Sequence, residues 1–100
     1  MVYTIKGMWE IFESKSAEKN INKLPIHILE KYEFWRNVVQ ISGIEGLKQF
    51  AGFKDHSLKG EWAGYRSSYL NSAYRVIYTF EKNEFKVYVI DVNHHDYRRK

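Results

Sequence analysis

The sequence predicts an α+β protein in which two to three helices pack on a curved, mainly antiparallel sheet. Helical periodicity and helix-ending residues occupy the first half of the 100-residue chain, whereas alternating apolar and polar residues fill the second half. We expect an N-terminal strand before the helices and a three-strand meander after them. Because 44% of the residues are hydrophobic and 17% aromatic, residues 1–100 are predicted to form a single domain.

The N-terminal region predicts a strand followed by a short helix. Residues 8–13 (MWEIFE) end in alternating apolar and acidic positions, which is typical of a strand, and residues 2–5 form a weaker strand or a lead-in. Ser14 and Ser16 are good helix N-caps, so a first helix is expected at about residues 17–23.

The next region predicts the longest helix. Pro25 suits the first position of a helix, which is expected to cover residues 26–41. The residues that recur along one face of it are Ile28, Tyr32, Trp35 and Val39. Gly43 and Gly46 are predicted to bracket a break, and residues 44–50 could add a short helical turn before a loop at residues 51–60.

The last part of the chain predicts three strands, at about residues 63–70, 74–82 and 85–93. The two-residue connection 83–84 favours an antiparallel hairpin. Within the second of these strands, the residues expected to face the core are Tyr74, Val76, Tyr78 and Phe80. Arg75 is therefore predicted to point away from that core.

Composition limits the classes of function. The net charge of +4 favours a polyanion or an acidic protein as partner. The absence of cysteine excludes a disulfide framework, a thiolate metal site and a cysteine nucleophile. Neither a signal peptide nor an apolar run long enough to span a membrane is present, so we expect a soluble, cytoplasmic protein without membrane contact.

The histidines and arginines of the second half suggest phosphodiester chemistry. RNA is cleaved without a metal when a base takes the 2′-hydroxyl proton, an acid protonates the leaving 5′-oxygen and cations stabilise the phosphorane. Histidine suits both proton transfers, and arginine binds two phosphate oxygens at once. His56, His94 and His95 flank the strands that hold Arg66 and Arg75. A metal site is disfavoured, because adjacent histidines seldom converge on one ion.

Four motifs carry a resemblance to a known family. They are DHSLKG at residues 55–60, GYRSSYLN at 64–71, YRVIY at 74–78 and HDYR at 95–98. With them, the chain resembles the RelE/ParE superfamily of bacterial toxins, in particular histidine-bearing ribonucleases such as HigB, YafQ and YoeB. The resemblance implies a small RelE-like fold and a type II toxin that cleaves mRNA in the ribosomal A site without a cofactor. It also implies a cognate antitoxin as partner.

The resemblance implies roles for individual residues. His56 occupies the position of a general base, and Arg75 that of an arginine that contacts the phosphate. His95 matches the general acid near the C-terminus, and Tyr97 matches a tyrosine that stacks on or orients the nucleotide. The residues that complete the predicted RNA-binding set are Lys54, Lys59, Arg66, Asp96 and Arg98. The products would be a 2′,3′-cyclic phosphate, or its opened form, and a 5′-hydroxyl.

The chain also departs from the family pattern. Ser68 stands where RelE has a lysine, which favours the comparison with histidine-using relatives. A shift of one residue would make His94 the acid instead of His95; strand alternation sends the two to opposite faces, and we favour His95.

Less specific interpretations exist for the same residues. Arg75 could simply pair with a surface carboxylate such as Glu81 or Asp91. Tyr65 and Tyr69 are expected to be packing residues rather than residues that stack on bases. The whole chain could also be a ParE-like inhibitor of DNA gyrase, which needs no acid and base, or a degenerate member that only binds its antitoxin. The histidine pair argues against the gyrase inhibitor.

Overall fold

The computed structural model of the protein describes residues 8–94. Its elements in chain order are β1 (Glu10–Glu13), α1 (Lys15–Ile21), α2 (Ile26–Leu47), β2 (His56–Ser57), β3 (Arg66–Tyr69), β4 (Tyr74–Glu81) and β5 (Lys86–His94). The five strands form one sheet in the order β1-β5-β4-β3-β2. β1 runs parallel to β5, and the other neighbours are antiparallel. The predicted α+β class is confirmed, with helices first and a meander last.

Ser14 fixes the start of α1 and ties it to the sheet. Its hydroxyl accepts the backbone N–H of Ala17 at 3.0 Å, as an N-cap does, and donates to the carbonyl of Ile90 at 2.7 Å. Because Ser14 and not Ser16 is the cap, α1 begins at Lys15, two residues earlier than the sequence predicted.

Gly43 interrupts α2 as predicted. Its backbone has φ 71° and ψ −164°, a conformation that residues with a Cβ rarely adopt. A Cβ at this position would also lie 2.5 Å from Nε1 of Trp9, whose ring packs against the break. Gly43 therefore lets Trp9, only 9% exposed, close one end of the core.

The predicted apolar face of α2 packs on the sheet. Its four predicted core residues, Ile28, Tyr32, Trp35 and Val39, are at most 1% exposed. The ring of Trp35 lies 5.3 Å from that of Tyr78 on β4, edge to face. The hydroxyl of Tyr32 donates to Glu13 at 2.6 Å, so a polar group at the core boundary also has its partner.

The connections differ from the sequence prediction in three places. The expected loop 51–60 contains β2, which pairs with β3. β3 begins at Arg66 rather than residue 63, because Gly64 has a positive φ of 96° and belongs to a turn. The β4–β5 hairpin has four connecting residues, 82–85, instead of two, and Phe85 adopts the left-handed conformation that closes such a loop. Within residues 8–94, no helix is long and apolar enough to cross a membrane.

Candidate functional site

His56 and Arg75 lie on the same side of the sheet. Val76 and Tyr78 on β4 face α2 and are fully buried. Successive side chains of a strand alternate between the two sides of the sheet, so Arg75, which directly precedes Val76, points away from α2, as predicted. Direct cross-strand partners share a face. The pairs on the side of Arg75 are His56 with Ser67, Ser67 with Ile77, and Tyr69 with Arg75. We call this side, with His56, Ser67, Tyr69, Arg75 and Ile77, the outer face.

The separation of His56 and Arg75 suits contacts with one phosphodiester. They are two strands apart and offset by two residues, which places their Cα atoms roughly 12 Å from each other. Ser67 and Ile77 lie between them and are 0% and 4% exposed, whereas the imidazole of His56 is exposed. The side chains of His56 and Arg75 can therefore both reach a phosphate that lies over the buried residues Ser67 and Ile77.

The backbone before His56 selects one form of its imidazole. Lys54 has a φ of 45°, in the left-handed region, and its carbonyl oxygen lies 2.7 Å from Nδ1 of His56. A carbonyl can only accept a hydrogen bond, so Nδ1 carries the proton. In the neutral ring, Nε2 is then the unprotonated nitrogen and is able to accept a proton from a substrate.

Tyr69 belongs to this site, although the sequence favoured a packing role. Its ring lies 6.3 Å from that of His56, and Nζ of Lys54 lies 6.0 Å from the centre of the Tyr69 ring. It is also the cross-strand partner of Arg75. Period-two alternation places it on the side of Arg75 once the register of β3 with β4 is known, and that register cannot be read from the sequence.

The charge of Arg75 is not neutralised by a carboxylate of residues 8–94. Its Nε lies 3.5 Å from Oδ1 of Asn93, a long contact. Asp91, one of the two alternative partners, instead accepts hydrogen bonds from Nδ2 of Asn20 at 2.7 Å and Nδ2 of Asn93 at 3.0 Å. The guanidinium thus keeps its capacity to bind an anion.

Arg66 faces the opposite side and is bound by a buried carboxylate. Both its Nε and its Nη2 donate to Oδ2 of Asp55, at 3.0 and 2.6 Å. The other carboxylate oxygen of Asp55 accepts the Ser68 hydroxyl at 2.6 Å and the Tyr78 hydroxyl. The Asp55 side chain is 1% exposed and that of Arg66 20%. The structure therefore does not bring Arg66 together with Arg75, and we call these four residues the Asp55 network.

The Asp55 network also shifts pKa values. Burial lowers the pKa of Arg66, but the hydrogen bonds and charges of Asp55 and Tyr78 outweigh burial and raise it above its usual range. Burial, reinforced by the charge and hydrogen bond of Asp55, raises the pKa of Tyr78 above its ordinary value. Arg66 remains a cation and Tyr78 remains neutral, as the network requires.

The network positions the residue next to it. Asp55 directly precedes His56, and β2 sends the two side chains to opposite sides of the sheet. Because four hydrogen bonds hold the buried carboxylate, the start of β2 has little freedom to move. We interpret Asp55 as an anchor for the imidazole of His56. Nothing in the sequence indicates this role, since a polar loop residue is usually solvated.

The remaining predicted site residues are placed as follows. Lys54 and Lys59 are exposed in the segments before and after β2. His94 pairs with Tyr74, and their rings are 5.1 Å apart. Since Tyr74 packs against the core, His94 lies on the side of α2 and not with Arg75. His95, Asp96, Tyr97 and Arg98 lie outside the described residues. No cluster of three or more metal-ligating side chains occurs in residues 8–94.

Comparison with solved structures identifies the fold. YafQ from E. coli is 17% identical and has a TM-score of 0.71 over 87% of this chain and 93% of its own. The toxin of the YoeB–YefM complex from Staphylococcus aureus is 19% identical, with a TM-score of 0.68 over 88% and 98%. The toxin-antitoxin complex RelBE2 from Mycobacterium tuberculosis contains a chain 19% identical, with a TM-score of 0.62 over 88% and 99%. Neither a protein-family model nor a curated protein sequence matches the chain. The structure and these similarities together show that the chain has the fold of the RelE/ParE superfamily of toxins.

Proposed function

We propose that the protein is the toxin of a type II toxin-antitoxin system and a metal-independent endoribonuclease that cleaves mRNA on the ribosome. The observation that carries the proposal is the pair of His56, whose Nδ1 lies 2.7 Å from the carbonyl oxygen of Lys54, and Arg75, without a described carboxylate partner, on one face of the sheet. A general base and a cation are two of the three kinds of group that cleavage through the 2′-hydroxyl uses, and the third is the general acid. The fold supports the assignment, because the structures similar to it include toxins solved with their antitoxins.

In the proposed reaction, Nε2 of His56 takes the proton of the 2′-hydroxyl, and the 2′-oxygen attacks the adjacent phosphorus. Arg75 donates to the nonbridging oxygens, which gain charge in the phosphorane. The bond to the 5′-oxygen then breaks, and His95 protonates that leaving oxygen. Tyr97 orients the nucleotide. The products are a 2′,3′-cyclic phosphate, which water can open, and a 5′-hydroxyl.

Lys54, Lys59 and Arg98 are proposed to contact flanking phosphates, and Asp96 is proposed to orient a histidine or to contact the nucleotide. Arg66 is not part of the proposed set that stabilises the phosphorane, since Asp55 already binds its guanidinium. The net charge of +4 increases the local concentration of RNA and suits an acidic antitoxin segment. We propose a cytoplasmic protein of one domain that needs no cofactor and meets mRNA in the ribosomal A site.

The test is the mapping of transcript ends after induced expression of the wild type and of His56→Ala. The expected result is codon-linked cuts with cyclic-phosphate ends for the wild type, and a rate of cutting at least about 10²-fold lower for the variant. Repeating the experiment with translation blocked tests ribosome dependence. Intact messages accompanied by DNA damage would instead support a gyrase inhibitor, and growth without either would support a chain that only binds its antitoxin.

A further inference from the structure

A groove opens beside the candidate site and has no role in the proposed reaction. It lies between the first half of α2, the short turn Ala51–Phe53 and the β3–β4 connection, and its volume is about 1050 Å³. Pockets of this size accommodate a ligand as large as a nucleotide. Two of its lining residues, Lys54 and Tyr69, also belong to the surroundings of His56. The groove is therefore continuous with the candidate site.

Aromatic rings form one wall of the groove. Phe34 and Phe50 are 47% and 42% exposed, and their rings are 5.1 Å apart at 87° to each other. Phe53, 6% exposed, stacks beneath Phe34 with a centroid distance of 6.0 Å and fixes its position. Contiguous exposed apolar surface rimmed by polar residues commonly marks an interaction site or a ligand-binding groove. A planar base could stack on one of the exposed rings and meet the edge of the other.

The charges at the rim favour an anionic ligand. Lys31 on α2 and Lys54 before β2 are exposed at the groove, together with His27, whereas Glu30 is the carboxylate among its lining residues. Aromatic rings combined with a basic rim are the usual means of holding single-stranded nucleic acid. A purely apolar partner would leave these ammonium groups unused.

We infer that this groove is a subsite that binds, by stacking on Phe34 and Phe50, the base of a nucleotide adjoining the scissile phosphate. The inference rests on the proposed ribonuclease function and extends it to the binding of flanking RNA. The strand would run from the outer face past Lys54 and Tyr69 into the groove, so neighbouring phosphates would remain close to basic residues throughout.

The test uses hexaribonucleotides with 2′-O-methyl groups, which cannot be cleaved, carrying 2-aminopurine at one position at a time. At low salt, the full chain should quench the fluorescence at the position that stacks in the groove. Phe34→Ala should restore that emission and weaken binding by about 5- to 150-fold, the range measured for a single stacking contact. Phe85→Ala is the matched control, because Phe85 is 43% exposed and lies at the end of β4 that is distant from the groove. The affinity of this variant for the RNA should stay within about 2-fold of the wild-type value.

Lys31→Gln provides a second variant that leaves the aromatic cluster intact. It should reduce the slope of log Kd against log salt by about 0.7, whereas the exposed Lys19→Gln on α1 should not. Unquenched emission at every position, or unchanged affinity in Phe34→Ala, would overturn the subsite even if the wild type still cleaves mRNA. Loss of antitoxin binding by Phe34→Ala with unchanged RNA affinity would assign the groove to the protein partner. Failure of the wild type to cleave any message contradicts the proposed function itself.

Discussion

The two sides of the sheet at β2–β4 use similar residues for opposite purposes. On the side of α2, the Asp55 network joins a carboxylate, a guanidinium and two hydroxyls in a set of short hydrogen bonds around a side chain that is 1% exposed. On the outer face, His56 is exposed, and the one hydrogen bond of the Arg75 side chain within residues 8–94 is a long contact of 3.5 Å with Asn93. The polar groups of the Asp55 network bind one another, whereas His56 and Arg75 on the outer face keep hydrogen-bonding capacity for a ligand.

The contrast shows that an arginine on a strand cannot be assigned a role from its type or motif. Arg66 and Arg75 both follow a tyrosine, in GYRSSYLN and YRVIY, and both looked suited to phosphate. Their partners separate them: a buried carboxylate makes Arg66 part of the scaffold, whereas Arg75 is left to bind an anion. The adjacent residues Asp55 and His56 differ in the same way. Asp55 anchors β2 on the side of α2, and His56 projects from the outer face.

The largest expected effect is the loss of activity when Arg75 is removed. Arg75→Ala should lower mRNA cleavage by about 10²-fold or more, because no other described cation has the same position on the outer face. Its free energy of unfolding should change by less than about 0.5 kcal/mol, since the side chain makes one long hydrogen bond to residues 8–94. Cleavage rates and urea denaturation measure the two quantities. Full activity in this variant would remove Arg75 from the site.

The Asp55 network should show the reverse, a loss of stability. Asp55→Ala leaves the Arg66 guanidinium without its carboxylate and should lower the free energy of unfolding by about 3 kcal/mol. Urea denaturation of Asp55→Ala, Arg66→Ala and the double variant gives the coupling between the two residues. Glu61→Ala, the truncation of an exposed acid, is the control. A coupling close to zero would show that the buried pair does not hold β2 in place.

Alkaline pH should lower the free energy of unfolding through the buried tyrosines on the side of the sheet that faces α2. Burial and acidic neighbours raise the pKa of both Tyr32 and Tyr78 above the ordinary value. Above about pH 10 the unfolded chain loses these two protons while the folded chain keeps them, so the free energy of unfolding falls as pH rises, by about 2.7 kcal/mol per pH unit. Denaturation between pH 9 and 12 measures the onset of this loss near pH 10 and the slope that it approaches above about pH 11. Tyr78→Phe should reduce it to about half, and an unchanged slope would contradict the shift at Tyr78.

The sequence predicted most of the fold, because local signals and the global fold agree. The apolar repeat of α2 and the core-facing residues of β4 were correct. Of the two glycines predicted to bracket a break, Gly43 interrupts α2 and Gly46 is helical. The predicted ends of β3 and the predicted length of the β4–β5 hairpin were wrong, because they depend on backbone geometry that composition does not reveal. Gly64 and Phe85 adopt positive φ values that move the ends of β3 and lengthen the hairpin. For a glycine this conformation is always accessible, and for Phe85 it is imposed by the loop.

The site was predicted only in part, for a different reason. The alternation of β4 gave the orientation of Arg75, and the loop motif drew attention to His56. The roles of Asp55 and Tyr69 depend on which residues of β3 lie opposite β2 and β4. That register is set by long-range pairing and not by any local pattern. Once the register is known, the same alternation places Tyr69 beside Arg75 on the outer face and Arg66 on the side of α2.

The smallest expected effect distinguishes His94, the last residue of β5, from His95, the next residue in the sequence. His94→Gln should leave the cleavage rate within about 2-fold of the wild type, because its ring lies 5.1 Å from that of Tyr74 on the side of α2, away from Arg75. His95→Gln, the matched substitution one residue further, should lower the rate by at least about 10²-fold if His95 supplies the proton to the leaving oxygen. Measuring both with the same mRNA keeps binding and ribosome contributions constant. A large loss in His94→Gln with an active His95→Gln would make His94 the acid, and would require the end of β5 to turn its side chain toward the outer face when RNA binds.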